Sequence, residues 1–335
     1  MHYAHQRIKS DPKDMIELSL IPAIDPAKIE AELNGLTPMR PTNRSHNVIY
    51  SFRGTEAPNT MLEIGRLREE SFRVFKAGTG LPLDIDYHDY DPDGYRQLVV
   101  WDPDAREIVG GYRYILGREV IVQGTETNLA SDEILLYSDT FITTYLPYCI
   151  ELGRAFVRPD HQQANGLSPK SLFALDNLWD GLGALILLHP ECKYFTGIVS
   201  IFRDSNQKSR DLILYYLNTH FKGEPGLITP RDPRGYTTDI ATLKSVIKGE
   251  NKKEDARALH IAVKQLGESI PPLINAYMNL SDAMEVYGIT RGMGPVNYED
   301  IAIMVPIGEI AEDKKKRHMD TYSEWIANNK GTSLY

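Results

Sequence analysis

The chain has 335 residues, a formal net charge of −9, 25% charged and 42% hydrophobic residues, a globular balance with ample length for a large core. The acidic sum argues against a nucleic-acid binder, and no apolar run reaches the roughly 18 residues of a membrane span. Cys149 and Cys192 form no disulfide framework and the N-terminus lacks a signal-peptide core, so a cytoplasmic protein is expected.

Residues 1–45, rich in proline and polar groups, read as an N-terminal arm with one short helix near Pro26–Leu33. His46–Phe52 reads as a strand. Thr60-Met-Leu-Glu63 fits a capping box, in which hydroxyl and carboxylate each satisfy a free backbone donor. The helix behind it is expected to run to about Lys76, with Leu67, Ser71, Val74 and Phe75 on one side, and Gly78-Thr-Gly80 ends it. An acidic stretch, Asp84 to Gly94, follows. Gln97–Trp101 and Ile108–Leu116 read as a hairpin around Asp102-Pro-Asp104, and 117–140 as loop or short strands.

Cys149–Val157 is apolar enough for a buried strand. A helix over about Pro169–Leu188 carries the stripe Leu172, Leu175, Leu178, Trp179, Leu182 and Leu185. Tyr194–Phe202 is a second apolar strand, and strand, helix, strand at this spacing is a βαβ unit with parallel strands. Helices are expected at about Ser209–Phe221, weakly at Thr242–Lys248, then at Glu254–Leu266 and Pro271–Tyr287. A late strand covers Ile301–Ile307. The tail from Glu312 to Arg317 reads as a solvated charged helix. The fold class is therefore α+β or α/β with a mixed sheet.

Several groups are candidates for chemistry. Glu151 and Arg154 lie three apart in an apolar strand, so on a regular strand they face opposite ways. Such charges are costly unless satisfied. Either each serves a structural ion pair, or Glu151 takes a proton or orients an amine while Arg154 braces a loop or binds a carboxylate. Ser168-Pro169 is a strong helix start, whose free N–H groups fit either an ordinary cap or a phosphate. Asp84, Asp86, Asp89, Asp91 and Asp93 form a solvated loop or an amine-recognising cluster. Asp89 to Gly94 copies half a calcium loop, but its twelfth position is Val100 rather than glutamate, so no metal is expected. His161 has no evident partner. Hydrolase, zinc, P-loop and dinucleotide motifs are absent.

Tyr148-Cys-Ile-Glu-Leu-Gly-Arg-Ala-Phe-Val-Arg-Pro159 resembles the E-L-G-R-x-x-V-x-P signature of the hemolysin-like acyltransferases in the GNAT superfamily, which include the N-acyltransferases of ornithine-lipid synthesis. Phe72-Arg-Val-Phe75, the Asp84, Asp86 and Asp89 spacing, Gly110-Gly-Tyr-Arg-Tyr114 and Ile270-Pro-Pro-Leu-Ile-Asn-Ala-Tyr277 resemble its other segments in order. Ile64–Glu69, Leu172–Ala184 and Asp211–Asn218 resemble the glycine-lipid branch found in Bacteroidetes. One position departs: where the wider family has arginine this chain has Ser71, flanked by Arg68 and Arg73.

The resemblance implies a GNAT fold, with an acyl-donor-binding core at 46–225 and C-terminal helices with a late strand at 226–335 completing the acceptor and acyl-chain site. It implies an N-acyltransferase moving an acyl or 3-hydroxyacyl chain from a thioester on an acyl carrier protein to a small amino acid, glycine foremost. An acyl-phosphopantetheine co-substrate serves in place of a cofactor. Glu151 and Arg154 are the implied catalytic residues. Asp84, Asp86, Asp89, Arg73 and Arg113 would bind the acceptor, and Phe156, Val157, Gly166, Ser168, Lys170 and Ser171 the donor. An acidic carrier would dock on Arg158, Lys170, Lys193, Arg203, Lys208 and Arg210, and a lipid product would allow peripheral membrane association. The alternatives are a CoA-dependent acetyltransferase of the same fold and a non-enzymatic, membrane-acting hemolysin-like protein.

Overall fold

Alternating apolar residues along successive strands build one mixed sheet with a buried layer on each face. The computed structural model describes residues 17–75, 77–162, 169–202, 206–292 and 298–328, without the side chains of 169–172 and 202. In chain order the elements begin with α1 (Pro26–Asn34), β1 (Pro38–Pro41), β2 (Val48–Arg53), α2 (Pro58–Val74), β3 (Arg96–Asp102) and β4 (Glu107–Leu116). Short strands β5 (Val122–Gln123), β6 (Glu126–Thr127) and β7 (Leu135–Tyr137) lead to β8 (Cys149–Val157), α3 (Pro169–Leu188) and β9 (Tyr194–Phe202). Then come α4 (Gln207–His220), β10 (Ile228–Pro230), α5 (Ile240–Val246), α6 (Lys252–Gln265), α7 (Pro272–Met278), β11 (Glu285–Arg291), β12 (Tyr298–Pro306), α8 (Glu312–Lys315) and α9 (Thr321–Asn328).

The main sheet has the order β1-β2-β3-β4-β8-β9-β12-β11. Only β8 and β9 are parallel, joined by α3 as the expected βαβ unit. The sheet runs unbroken across residues 45 and 225: β1 precedes the first, and β11 and β12 follow the second. On one face α1 and α2 cover Val99, Trp101, Ile108 and Phe156. On the other, α3, α4, α6 and the C-terminal helices cover Leu98, Val100, Tyr112, Phe195 and Ile303. A third cluster, from the 117–148 segment and β10, covers Ile115, Cys149 and Met304.

Three local expectations give way to long-range partners. The start of α2 is capped from another helix: Glu32 of α1 accepts the backbone N–H groups of Asn59 and Thr60 at 2.9 and 2.8 Å and the Thr60 hydroxyl at 2.8 Å. Glu63, read as the other half of a capping box, instead holds Arg66 and accepts from the Ile24 N–H. The helix expected over Pro271–Tyr287 ends at Met278, and Glu285–Arg291 forms the edge strand β11. Val286, Tyr287, Ile289 and Thr290 are strand-favouring residues, and pairing with β12 decides between two readings of one apolar pattern. The charged tail also turns inward after Lys316, burying His318 and Tyr322.

Candidate functional site

The face carrying α2 and the 117–148 segment has a polar stripe where its two apolar clusters meet. Gln97, Arg113, Glu151 and Thr196 sit two residues from Val99, Ile115, Cys149 and Ile198, so the two-residue period puts them on that face. Register brings them together, with Gln97 opposite Arg113 and Glu151 opposite Thr196.

Glu151 is 4% exposed. The Tyr95 hydroxyl donates to one carboxylate oxygen and the Ser131 hydroxyl to the other. Tyr95 also accepts the Ala130 N–H at 2.9 Å, and Ser131 shares a hydrogen bond with the Tyr137 hydroxyl at 2.6 Å. Burial pushes the Glu151 carboxyl above the usual range, while the two hydroxyl donors and nearby Arg113 oppose that rise.

Arg154 lies within a bulge. The β4–β8 register shifts between Gly111 and Arg113, and Arg154 takes the left-handed conformation at φ 52°. A regular strand would send it away from Glu151. The bulge instead lets its guanidinium reach Asp84 at 3.2 Å and Asp86 at 3.7 Å. Asp86 in turn holds Arg113 at 2.7 Å, Asp89 lies 3.4 Å from Arg113 and 3.0 Å from Arg68, and Arg68 donates to Gln97 at 2.5 Å. Three arginines and three aspartates thus alternate in a charge-balanced chain. Burial alone would raise Asp86 and Asp89, but Arg113 beside the first, and Arg68 and Arg113 beside the second, hold both below the usual carboxylate range. Asp84 Oδ2 receives no hydrogen bond among the described residues, and burial raises this carboxyl. His88, buried behind Tyr95, is lowered to about 4 by burial and by Arg113.

The two parallel strands separate beside this chain. β8 pairs with β9 only from Cys149 to Leu152, while β9 stays on β12 as far as Phe202. Gly197 sits at the fork, where a Cβ would lie 2.5 Å from the Leu152 carbonyl oxygen. Beyond it, no ladder joins Gly153–Val157 to β9 among the described residues, and this fork is the cleft between the two strands.

The expected residues divide accordingly. Glu151, Arg154, Asp84, Asp86, Asp89 and Arg113 converge. Arg73 does not: it braces the loop after α2 through Glu69 at 2.8 Å, Glu17 at 2.9 Å and the Leu81 carbonyl at 2.6 Å. Arg68, one turn before Ser71, takes the buried place in the cluster, and Ser71 donates to the Val157 carbonyl at 3.1 Å. The Phe156 side chain is 4% exposed in the α2 core, so only its backbone borders the cleft. The Val157 carbonyl also accepts from Gln162 at 2.7 Å, pinning the end of β8. Gly166 and Ser168 lie outside the described residues, as do the side chains of Lys170 and Ser171. His161 has a partner, Glu107 at 3.0 Å, within a group of Glu107, Asp160 and His161 whose two carboxylates Arg158 bridges.

Tyr95, Ser131 and Tyr137 were not legible in advance. One tyrosine before a strand, with a serine and a tyrosine in an irregular segment, carries no spacing that marks a partner for Glu151.

An acetyltransferase (GNAT) domain model matches residues 67–169. A curated glycine N(alpha)-acyltransferase of Phocaeicola vulgatus is 44% identical over 304 residues, covering 90% of this chain and 93% of its own length. Another of Bacteroides thetaiotaomicron is 43% identical over 306 residues, covering 91% and 90%. No solved structure matches the chain. Near-complete coverage at this identity, with β8 inside the segment that the domain model matches, places the chain in the family of these N-acyltransferases: it is an acyltransferase of the GNAT class.

Proposed function

We propose that this chain transfers an acyl group, in its natural role a 3-hydroxyacyl group, from a carrier-bound phosphopantetheine thioester to the amine of glycine, a step in making an aminolipid. The relatives' names support glycine as acceptor. The observation that carries the reading is the fork at Gly197 opening beside a buried, hydroxyl-clamped Glu151 and a buried arginine–aspartate chain.

The thioester arm lies along Gly153–Val157, its amides meeting backbone groups that β9 leaves unpaired. Arg154, a quarter exposed and loosely held at 3.2 and 3.7 Å, receives the acceptor's carboxylate. Arg113 is 2% exposed and fully engaged by Asp86 and Asp89, so it positions the site. Asp84, whose Oδ2 faces the Arg154 guanidinium at 3.2 Å without a hydrogen bond, accepts from the amine. The uncharged nitrogen attacks the thioester carbon and the C–N bond forms. Glu151 takes the nitrogen's surplus proton through the Tyr95 or Ser131 hydroxyl. The C–S bond breaks and the thiolate leaves with that proton.

Incubation with a 3-hydroxyacyl carrier protein and a pool of amino acids, read by mass spectrometry, is expected to give N-acylglycine first. Glu151→Gln is expected to lower kcat by about 10²–10⁴-fold. Turnover by that variant near the parent's rate removes Glu151 from the mechanism, and a product on another amine removes glycine.

A further inference from the structure

Of the six cations first expected to receive a carrier, three already have partners. Arg210 is 2% exposed and paired with Glu299 and Asp211. Arg158 is held by Glu107 at 2.9 Å and Asp160 at 2.6 Å, and the Lys193 ammonium sits 4.6 Å over the Tyr148 ring. Arg203 and the Lys170 side chain lie outside the described residues. Lys208 stays exposed, in the first turn of α4.

A different surface has the missing charge. On α6, at about 100° per residue, Lys253, Arg257, His260, Ile261 and Lys264 fall within an arc of about 100°. All five are exposed, Ile261 at 59%. Leu259 and Val263 lie on the buried side, where Asp255 is also turned in and bound by His220 at 2.8 Å. Glu254 stands at the edge of the arc. Lys252, off it, is tied to Asp282 at 2.8 Å. Exposed Lys244 and Lys248, with Glu250 between them and α6, come from α5 and the turn behind it. Among the described residues no ion pair forms on Lys253, Arg257, His260 or Lys264.

One end of the stripe lies toward the fork. α6 runs antiparallel to α4: its Lys252 carbonyl meets the Tyr216 hydroxyl near one end of α4, and Glu268, just beyond its other end, accepts the Asn206 N–H at 3.0 Å. Asn206 caps α4 directly behind β9. The Lys264 end of the stripe and Lys208 therefore stand at the carboxyl ends of the parallel strands, the end toward which β8 and β9 separate.

We propose that this face of α6 is the docking surface for an acidic helical carrier domain that hands its acyl-phosphopantetheine arm into the fork between β8 and β9. The proposal rests on the carrier-bound donor of the preceding section. A chain of net charge −9 repels an acidic partner over most of its surface, so a local cationic stripe decides where the partner lands and how fast. Ile261 supplies an apolar contact at the stripe's centre.

The test compares an acyl carrier protein thioester with the matching acyl-CoA as donors, for the parent and for K253E/R257E/K264E. These side chains are exposed, so folding is expected to persist, checked by an unchanged melting temperature. The triple variant is expected to lose on the order of 10–100-fold in kcat/KM on the carrier donor, mainly through KM, with acyl-CoA turnover unchanged. Added salt should lower the parent's carrier kcat/KM and leave the variant's nearly flat. A variant within two-fold of the parent on the carrier donor overturns the docking surface. A parent that uses acyl-CoA as well as the carrier donor overturns the carrier reading itself. Loss of binding to anionic phospholipid vesicles, with carrier kinetics intact, assigns the face to a membrane and overturns the proposal.

Discussion

Glu151 gains its chemistry from neighbours rather than from its strand. A carboxylate at 4% exposure is tolerable only with donors on its oxygens, and Tyr95 and Ser131 supply one to each. The groups facing it are Tyr95 ahead of β3, Arg113 from β4, Ser131 and Tyr137 from the 117–148 segment, and Cys149 from its own strand. Because burial raises Glu151, its ionised form is the costly one. Its contribution to stability is present below the unfolded value and lost as pH rises through the raised folded value. Activity needs the opposite state, so the rate falls as pH drops through that raised value. Tyr95→Phe removes a hydrogen bond to the ionised carboxylate, worth about 1.5–3 kcal/mol, so the acid limb of kcat/KM should move about one to two pH units upward. Activity should return at alkaline pH, and Ser131→Ala should act in the same direction. A profile lowered uniformly, with its limb unmoved, would assign both hydroxyls to packing alone.

At the scale of elements, legibility followed whether a segment's pattern was local. β8, α3 and β9 were readable to the residue, since apolar runs of strand length flank an apolar-striped helix that begins at Pro169. The α7–β11 stretch was not, because Leu273, Tyr277, Leu280, Met284 and Tyr287 satisfy a helical period while only β12 reveals the strand. The bulge at Arg154 was equally hidden: nothing in Glu-Leu-Gly-Arg reports a left-handed arginine, which depends on the register with β4. The acidic Asp84–Asp89 segment read as a solvated loop or an amine-recognising cluster, and Asp84 and Asp89 are buried because arginines from α2, β4 and β8 meet the segment. The fork itself turns on Gly197. A methyl group there would meet the Leu152 carbonyl oxygen at 2.5 Å, and only a backbone shift relieves contact with a backbone atom. Gly197→Ala should therefore force the last paired residues of β8 and β9 apart, at a cost of about 1–3 kcal/mol. The cleft's mouth would be misplaced, so KM for the thioester donor should rise more than KM for the acceptor. Equal and unchanged KM values for both would show that the fork does not set the donor's path.

At the scale of the whole molecule, the C-terminal segment ties the far edge of the sheet to its central crossover helix. Tyr322 is fully buried and donates to the Met39 carbonyl at 2.9 Å, with the Arg40 guanidinium 4.9 Å over its ring. Arg40 also donates to the His318 carbonyl at 2.9 Å. His318 Nδ1 meets Asp180 of α3 at 2.8 Å, and the same carboxylate accepts from the Asn43 N–H at 2.8 Å. Residues 39–43, 180 and 317–322 thus form one knot, on the sheet face opposite Glu151. Its members serve α3, whose packing against β3 and β4 supports the strands that carry Gln97 and Arg113. Tyr322→Ala removes a buried aromatic and leaves the Met39 carbonyl unpaired, so a loss of about 3–5 kcal/mol is expected, seen as a melting temperature lower by several degrees. Below that temperature both substrate KM values should match the parent's, since the knot touches no group of the site. A melting temperature within a degree of the parent's would mean that the C-terminal segment merely rests on the sheet and does not hold it closed.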